Sequence, residues 1–266
     1  MLDNILSFFF IRKLFSNVND GIKLKIARYN KSLQKKINIS LFNYKIYSGR
    51  YIIYEKNRIG KEYDGYSDGL LFEGEYLNGK GNGIGKEYDY NGDLRFEGEY
   101  LNGKRNWKGK EYYGKDKLKF EGEYLNGEIN GKGNEYELGN LRFEGEYLNG
   151  ERNGKGKDYY DNGKLKFEGE YLNGERNGIG KEYNLNGKLE FEGEYLKGKI
   201  WNGILYNLIN NEKYELKNGN GFIIEYNVPE NQFLARTIFV GEYFNGKKNG
   251  RGKEYYDNGK LRFEGE

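Results

Sequence analysis

A five-residue motif that recurs about every 24 residues constrains this chain more than any other feature of its sequence. Successive copies of Phe-Glu-Gly-Glu-Tyr are 24, 24, 23, 24 and 24 residues apart and begin at Phe72, Phe96, Phe120, Phe143, Phe167 and Phe191. Divergent copies begin at Tyr47 and Phe239, and a last copy begins at Phe263. A fixed period of this size indicates stacked structural repeats, in which each unit packs against its neighbours.

Each repeat has the pattern of a β-hairpin. Strict alternation in the fifth intact copy puts Phe167, Gly169 and Tyr171 on one face of a first strand and Lys166 and Glu168 on the other. An Asn-Gly pair follows, which suits the positive φ angles of a tight hairpin turn. A side chain at Gly169 would compete for the space of a neighbouring ring.

A shorter second strand follows each turn and carries one recurring Tyr. Because a packing residue must recur in every unit, we predict that the recurring aromatic side chains hold the repeats together. The predicted packing residues are Phe72, Tyr76, Tyr88, Phe96, Tyr100, Tyr112, Phe120, Tyr124, Tyr136, Phe143, Tyr147, Tyr159, Phe167, Tyr171, Tyr183, Phe191 and Tyr195. We expect the second-strand rings, which also include Tyr63, Tyr226 and Tyr255, to be at least half buried against the next hairpin.

Composition excludes several kinds of chemistry. The chain has no Cys and no His, so disulfides, thiolate sites and the commonest general base and metal ligand are excluded. The Gly-x-Gly-Lys stretch at 83–86 is followed by Glu87, whereas a phosphate-binding loop needs Ser or Thr there and a helix after it. Paired carboxylates such as Glu97 and Glu99 recur in identical surroundings, unlike a catalytic pair. We therefore predict no enzyme activity, no cofactor and no metal site.

The repeat resembles the MORN (membrane occupation and recognition nexus) repeat. The matching residues in one unit are Phe167-Glu168-Gly169-Glu170-Tyr171, Asn173-Gly174, Gly178-Ile179-Gly180 and Tyr183. The resemblance covers residues 47–266 and is degenerate around 201–236, which contains the single Pro, Pro229. It implies scaffolding at membranes or the cytoskeleton, dimerisation and contact with phospholipid.

These patterns predict an all-β protein, an elongated single-layer antiparallel sheet of tandem MORN-type hairpins with a small helical N-terminal cap. Paired strands lie about 4.8 Å apart, so nearly nine two-strand units would form a curved rod of about 80–90 Å. We expect two domains, a basic N-terminal segment at 1–46 and the repeat array at 47–266.

The N-terminal segment is basic and apolar. Residues 1–47 contain nine basic and two acidic residues, a net charge of +7, whereas the remainder has 35 basic and 39 acidic residues, a net charge of −4. The acidic array disfavours a nucleic-acid partner. The sequence predicts a short helix over 2–15 and a second over 20–36, capped by Asp20. Its apolar stripe would be Ile22, Ile26, Tyr29 and Leu33.

Three roles are open for this segment. It would cap the first edge of the sheet, or lie on an anionic membrane, or act as an F-box, which residues 11–18 and 24–33 resemble. The candidate contacts to a membrane or partner are Lys23, Lys25, Arg28, Lys31, Lys35 and Lys36. The start of the chain lacks a signal-peptide pattern and is too short to span a bilayer.

The sequence thus predicts a cytoplasmic or peripheral-membrane scaffold that binds protein partners through an extended repeat surface. The alternative is an F-box-like adaptor for ubiquitin ligation, in which the array binds the substrate.

Overall fold

The computed structural model describes residues 8–27, 30–207, 212–227 and 236–266, which fall in two compact units, 1–103 and 104–266. The helices in the described part of the first unit are α1 (Phe8–Ser16), α2 (Asp20–Ala27), α3 (Lys31–Lys36) and α4 (Leu41–Ser48). The strands of the first unit are β1 (Arg50–Tyr54), β2 (Ile59–Asp64), β3 (Leu70–Leu77), β4 (Lys80–Tyr88) and β5 (Leu94–Leu101). A 3₁₀ turn at Lys56–Arg58 lies between β1 and β2.

The second unit is built from strands throughout its described part. Its first ten strands are β6 (Lys104–Tyr112), β7 (Leu118–Leu125), β8 (Glu128–Glu137), β9 (Asn140–Leu148), β10 (Glu151–Tyr159), β11 (Leu165–Leu172), β12 (Glu175–Tyr183), β13 (Leu189–Leu196), β14 (Lys199–Tyr206) and β15 (Lys213–Leu216). The last four are β16 (Gly221–Asn227), β17 (Arg236–Phe244), β18 (Lys247–Tyr255) and β19 (Leu261–Gly265).

Strands pair antiparallel in chain order, as tandem hairpins do. In the first unit, β1 pairs with β2, β2 with β3, β3 with β4 and β4 with β5. In the second unit the same holds from β6 to β15, and again from β16 to β19. The prediction of an all-β antiparallel fold built from repeated hairpins is confirmed.

The tight turns follow from the Asn-Gly pairs. Asn173 and Gly174 join β11 to β12 with φ angles of 50° and 80°, and positive φ at both positions is what a type I′ turn requires. The Gly174 N–H also donates to the carbonyl of Arg152 in the preceding hairpin at 2.9 Å. The turns therefore link neighbouring repeats as well as the two strands of one repeat.

β-Bulges interrupt the pairing both within the hairpin β11–β12 and between β10 and β11, which belong to consecutive hairpins. On β12, Gly178 adopts a φ of 101°, and Glu170 accepts a hydrogen bond from the next N–H, that of Ile179, at 3.1 Å. A Cβ at Gly178 would collide with the Glu170 carboxylate, so this position favours glycine. At the other end, Asp158 pairs with Phe167 and Tyr159 pairs with Leu165, so Lys166 is an extra residue in β11.

The core of the second unit is a row of Phe and Tyr rings from the first strand of each hairpin. Ring centroids lie 5.2–5.7 Å apart with planes at 83–88°, both within a hairpin, as for Phe167 and Tyr171, and between hairpins, as for Phe143 and Tyr171. Edge-to-face packing of this kind is favourable for aromatic rings. Because a Cβ at Gly169 would lie 2.6 Å from Cζ of Phe167, glycine is needed beneath the row.

The degenerate tract departs from this pattern in β14 and β15. Gly203 of β14 pairs with Gly193, but β14 has eight residues, one fewer than β12. In β15 the buried Leu216 precedes a turn closed by a bridge between Lys217 and Asn220. A turn therefore still follows β15 in the degenerate tract, while Pro229 lies outside the described residues.

The N-terminal helices differ from the prediction. The expected helix over 20–36 is two helices, because the Asn30 side chain accepts the Leu33 N–H at 2.9 Å and caps a new helix, α3. The predicted stripe is wrong in α2, where Ile22 and Ile26 are 52% and 46% exposed while Leu24 and Ala27 are buried. Tyr29 lies outside the described residues. The first predicted helix, over 2–15, is described only from Phe8, and α4 was not predicted.

Within its described residues the chain has no helix that is both long and apolar enough to cross a bilayer.

Candidate functional site

One face of the sheet in the second unit carries the aromatic row, and we call it the aromatic face. Residues paired directly across strands share a face, so Glu182, which pairs with Phe167 and Phe191, lies on this face. The Tyr195 hydroxyl donates to Glu182 at 3.1 Å. The acidic side chain of Glu182 therefore lies beside the rings of this face.

A guanidinium covers the ring in two of these hairpins. The Arg176 guanidinium carbon lies 4.1 Å from the Phe167 ring centroid, and its nitrogens donate to Glu182 at 2.8 Å and Asp158 at 3.3 Å. Burial alone would lower the pKa of Arg176, but the adjoining carboxylates, Glu182 foremost, raise it overall. Such a buried cation over an aromatic ring combines ion pairing with a cation–π contact.

Arg152 repeats this arrangement one hairpin earlier. Its guanidinium carbon lies 4.0 Å from the Phe143 centroid, and it bonds Asp158 at 2.9 Å and Glu135 at 2.5 Å. The Tyr171 hydroxyl also donates to Asp158. Each Arg thus joins the acid of its own hairpin to that of the hairpin before it.

The bulge adds a row of basic side chains to the aromatic face. Lys119 donates to Glu111 at 3.2 Å, and the Lys166 ammonium lies 5.5 Å from the Tyr160 ring centroid. The prediction that Lys166 and Phe167 lie on different faces of the sheet is therefore wrong, because Lys166 is the extra residue of the bulge. Strict alternation fails at such a residue.

Glu190 occupies this bulge position in β13, where the preceding repeats of the second unit have Lys119, Arg142 and Lys166. Burial, followed by the charge of Glu182, raises the pKa of Glu190 to about 7. Glu190 is half-buried. In this repeat the bulge position therefore carries a negative charge in place of a positive one.

The opposite face, which we call the ionic face, carries the second-strand Tyr residues. Tyr159 donates to Glu144 at 2.6 Å, and Tyr183 donates to Glu168 at 2.8 Å. The Tyr159 hydrogen bond is the main cause of the lowered pKa of Glu144. Lys157 lies 3.4 Å from Glu144 with both side chains exposed, so this ion pair contributes little to stability.

A groove of about 630 Å³ runs across the strands of the ionic face. Its floor consists of Gly133, Gly145, Gly156, Gly169 and Gly180, which pair across β8 to β12. Its walls carry four lysines and four glutamates, together with Asn134 and Ile179. The groove therefore crosses five strands, and its positive and negative side chains balance.

The predicted packing residues divide between the two faces. The buried ones on first strands are Phe72, Tyr76, Phe96, Tyr100, Phe120, Tyr124, Phe143, Tyr147, Phe167, Tyr171, Phe191 and Tyr195. The second-strand residues are half-buried: Tyr63, Tyr88, Tyr112, Tyr136, Tyr159, Tyr183 and Tyr255. The sequence analysis did not assign the two sets to different faces. Hydroxyls that donate to a glutamate of the same hairpin are those of Tyr88, Tyr136, Tyr159 and Tyr183. The side chain of Tyr226 is not described.

The basic residues proposed for the N-terminal segment remain on its surface where they are described. Lys25, Lys31 and Lys35 are exposed, and Lys23 and Lys36 are half-buried. Arg28 lies outside the described residues. Sequence reasoning missed Arg152 and Arg176, although the cation that follows the tight turn recurs in several repeats and could have indicated them.

Among the residues that the structure describes, no group of three or more acidic side chains is arranged to hold a metal ion.

The architecture defines a tandem β-hairpin repeat protein. The family model described as the MORN repeat matches residues 72–94, 120–136 and 239–260, and the MORN repeat variant matches 152–173 and 176–197. The chain therefore contains MORN repeats, as the sequence predicted.

No curated protein matches the chain. Among solved structures, it is similar to the crystal structure of TarM, with 9% identity and a TM-score of 0.19. It is also similar to S. aureus TarM, as a mutant in complex with fondaparinux, alpha-GlcNAc-glycerol and UDP, with 8% identity and a TM-score of 0.14. Each alignment covers 79% of this chain and 27% of the other, so the chain spans about a quarter of their length.

Proposed function

We propose that this protein is a non-enzymatic scaffold that binds protein partners along its repeat array. The observation that carries the proposal is that similar charged and aromatic groups recur at fixed positions, hairpin after hairpin, on both faces. Periodic surfaces of this kind suit extended or multivalent partners. The acids and bases are engaged with one another in successive repeats, which favours recognition over turnover.

The test is affinity purification with the full chain as bait, compared with two charge-reversed versions of it. One carries Lys157→Glu and Lys181→Glu on the ionic face, and the other carries Lys119→Glu and Lys166→Glu on the aromatic face. We expect a partner in near-stoichiometric amount that one version loses and the other retains. Retention of every captured protein by both versions, or turnover abolished by one array mutation, would contradict the proposal.

Contact with an anionic membrane through the N-terminal helices is a second candidate. Ile22 and Ile26 are exposed one helical turn apart on α2, beside the exposed Lys25. Apolar side chains flanked by lysines suit the surface of an acidic bilayer, where each Lys or Arg contributes about 1 kcal/mol. In liposome flotation at low salt, the full chain should float with acidic lipid, and the Ile22→Ser, Ile26→Ser version should not. Equal flotation of the two would exclude α2 as the anchor.

The F-box-like adaptor remains the alternative role for the same segment. It predicts that a cullin-type ligase component is captured by the full chain. We expect that capture to be lost when exposed residues of α2 and α3, such as Lys25 and Lys35, are replaced by Glu. If no ligase component is captured, the adaptor role fails.

A further inference from the structure

Register defines two equivalent positions in each hairpin of the aromatic face. The residue that pairs with the row Phe is an acid in β8, β10 and β12, namely Glu135, Asp158 and Glu182. The residue that pairs with the row Tyr is the covering cation in β10 and β12, namely Arg152 and Arg176. We call this second position the bridging position, because its cation joins two successive acids over a Phe ring.

The same arrangement occurs in the hairpin β17–β18. Lys248 pairs with Tyr243, lies 4.3 Å from the Phe239 ring centroid, and contacts Glu225 at 3.0 Å and Glu254 at 3.9 Å. A cation over a Phe and between two carboxylates therefore occurs in three described hairpins of the second unit.

The hairpin β13–β14 shows what accompanies loss of the cation. Ile200 occupies its bridging position, and Leu205 occupies the acid position opposite Phe191. Both charges are replaced together, so this hairpin keeps no acid of its own to be bridged. This is the substitution expected if an acid at this depth needs a cation beside it.

The hairpin β7–β8 keeps both acids although its bridging position has no cation. Its bridging position, opposite Tyr124, is occupied by Ile129, yet Glu135 is retained opposite Phe120 and Glu111 is retained in the preceding strand. Ile129 can cover the ring but has no charge to place between the two carboxylates. An open cavity of about 700 Å³ lies at this point, with Glu111, Phe120, Ile129 and Glu135 in its lining. The basic side chains that also line it are Lys119, Arg142, Arg152 and Lys166.

We propose that this cavity, the Ile129 slot, receives an arginine side chain from a partner protein. The inference rests on the proposed function and names the chemistry of its partner. The guanidinium would lie over Ile129 and Phe120 and bridge Glu111 to Glu135, as Arg152 bridges Glu135 to Asp158. Tyr113, 53% exposed at the rim, gives the incoming side chain an aromatic wall.

The present contacts of the two acids leave room for this bridge. Glu111 accepts from Arg105 at 2.7 Å and from Lys119 at 3.2 Å, and Glu135 accepts from the Tyr147 hydroxyl and from two nitrogens of Arg152. Asp158 likewise binds two arginines and a Tyr hydroxyl, so several donors on one carboxylate are normal on this face. Arginine is favoured over lysine because its planar fork hydrogen-bonds two carboxylates at once, whereas the second carboxylate of Lys248 is 3.9 Å away.

The experiment titrates N-acetyl-arginine amide into the full chain and maps the binding site by NMR. N-acetyl-citrulline amide, which has the same shape without the charge, is the matched probe. We expect shifts at Glu111, Phe120, Ile129 and Glu135, and affinity for the arginine probe on the order of tenfold higher. Ile129→Arg should abolish these shifts by supplying the guanidinium from within, whereas Ile129→Val should retain them.

Equal binding of both probes, or binding that Ile129→Arg leaves unchanged, would overturn the slot. A slot that fails while the full chain still captures a face-dependent partner leaves the scaffold function intact. If the slot binds the probe but no partner is captured, the slot is supported and the scaffold function fails. If Ile129→Arg instead dissolves a dimer seen by light scattering, the occupant is a second copy of this chain and the separate partner is wrong.

Discussion

The two faces of the sheet in the second unit use similar residues for different purposes. On the aromatic face, contacts cross from one hairpin to the next: Phe143 packs on Tyr171, and Arg176 bonds Asp158. On the ionic face, Tyr159 and Tyr183 bond glutamates of their own hairpins, and the ion pairs there are exposed. The difference teaches that the aromatic face couples the repeats, while the ionic face mainly completes each one.

The largest expected effect is loss of a ring from the aromatic face. Phe143→Ala removes a side chain that is 0% exposed and contacts Tyr147, Tyr171 and Arg152. We expect a loss of about 3–5 kcal/mol in the free energy of unfolding, measured by urea denaturation. Phe143→Leu, which retains apolar volume, should cost less. A loss below about 1 kcal/mol for the Ala variant would show that the row does not hold the array.

A smaller loss is expected on the ionic face. Tyr159→Ala removes a half-buried ring and its bond to Glu144, and we expect a loss of about 2–3 kcal/mol. In the middle of a linear array this should split thermal unfolding into two transitions, whereas Tyr255→Ala near the last strand should only fray the end. A single unshifted transition for Tyr159→Ala would refute this expectation.

The charge of Glu190 on the aromatic face makes the stability of the folded chain depend on pH. Because the pKa of Glu190 is raised from its ordinary value of 4.5 to about 7 in the folded chain, its ionisation opposes folding. Its penalty is absent below pH 4.5 and grows as the pH rises through 7. Glu190→Gln should therefore be more stable than wild type by about 1–3 kcal/mol at pH 8 and equal to it at pH 4. An advantage that is the same at both pH values would contradict the assignment.

The smallest effect concerns Glu168. Strict alternation makes it a solvated side chain and limits the effect of Glu168→Gln to about 0.5 kcal/mol. In the structure, however, Glu168 accepts a hydrogen bond from the Tyr183 hydroxyl at 2.8 Å. We therefore expect Glu168→Gln to lower the free energy of unfolding by about 1 kcal/mol, measured by urea denaturation. Tyr183→Phe should lose a similar amount, and the double variant should add little more. Fully additive losses would show that the bond contributes nothing.

The sequence predicts the repeat but not its bulges. The 24-residue period, the Asn-Gly turns and the need for Gly169 all follow from residue types that recur in register. The face of Lys166 could not be predicted, because it is an extra residue in β11 that interrupts the alternation and leaves no mark in the pattern itself. The separation of α2 from α3 depends on a side-chain cap at Asn30, a residue that sequence reasoning left in the interior of one helix.

Less of the candidate site than of the fold could be predicted from the sequence. The Ile129 slot is visible only when register shows that Ile129, Arg152 and Arg176 are equivalent and that Glu111 and Glu135 flank the first of them. Sequence alone presents Ile129 as one apolar residue in a variable spacer. Contacts between repeats 24 residues apart, which the pairing of strands creates, supply the missing information.

The most direct test of the account compares coupling between hairpins on the two faces by double-mutant cycles. Phe143→Leu with Tyr171→Leu probes the aromatic face, and Lys181→Met with Glu192→Gln probes an ion pair between hairpins on the ionic face. We expect an interaction energy of about 0.5–1.5 kcal/mol for the aromatic pair and below about 0.5 kcal/mol for the ion pair. A stronger coupling between Lys181 and Glu192 than between Phe143 and Tyr171 would contradict the claim that the aromatic face couples the repeats.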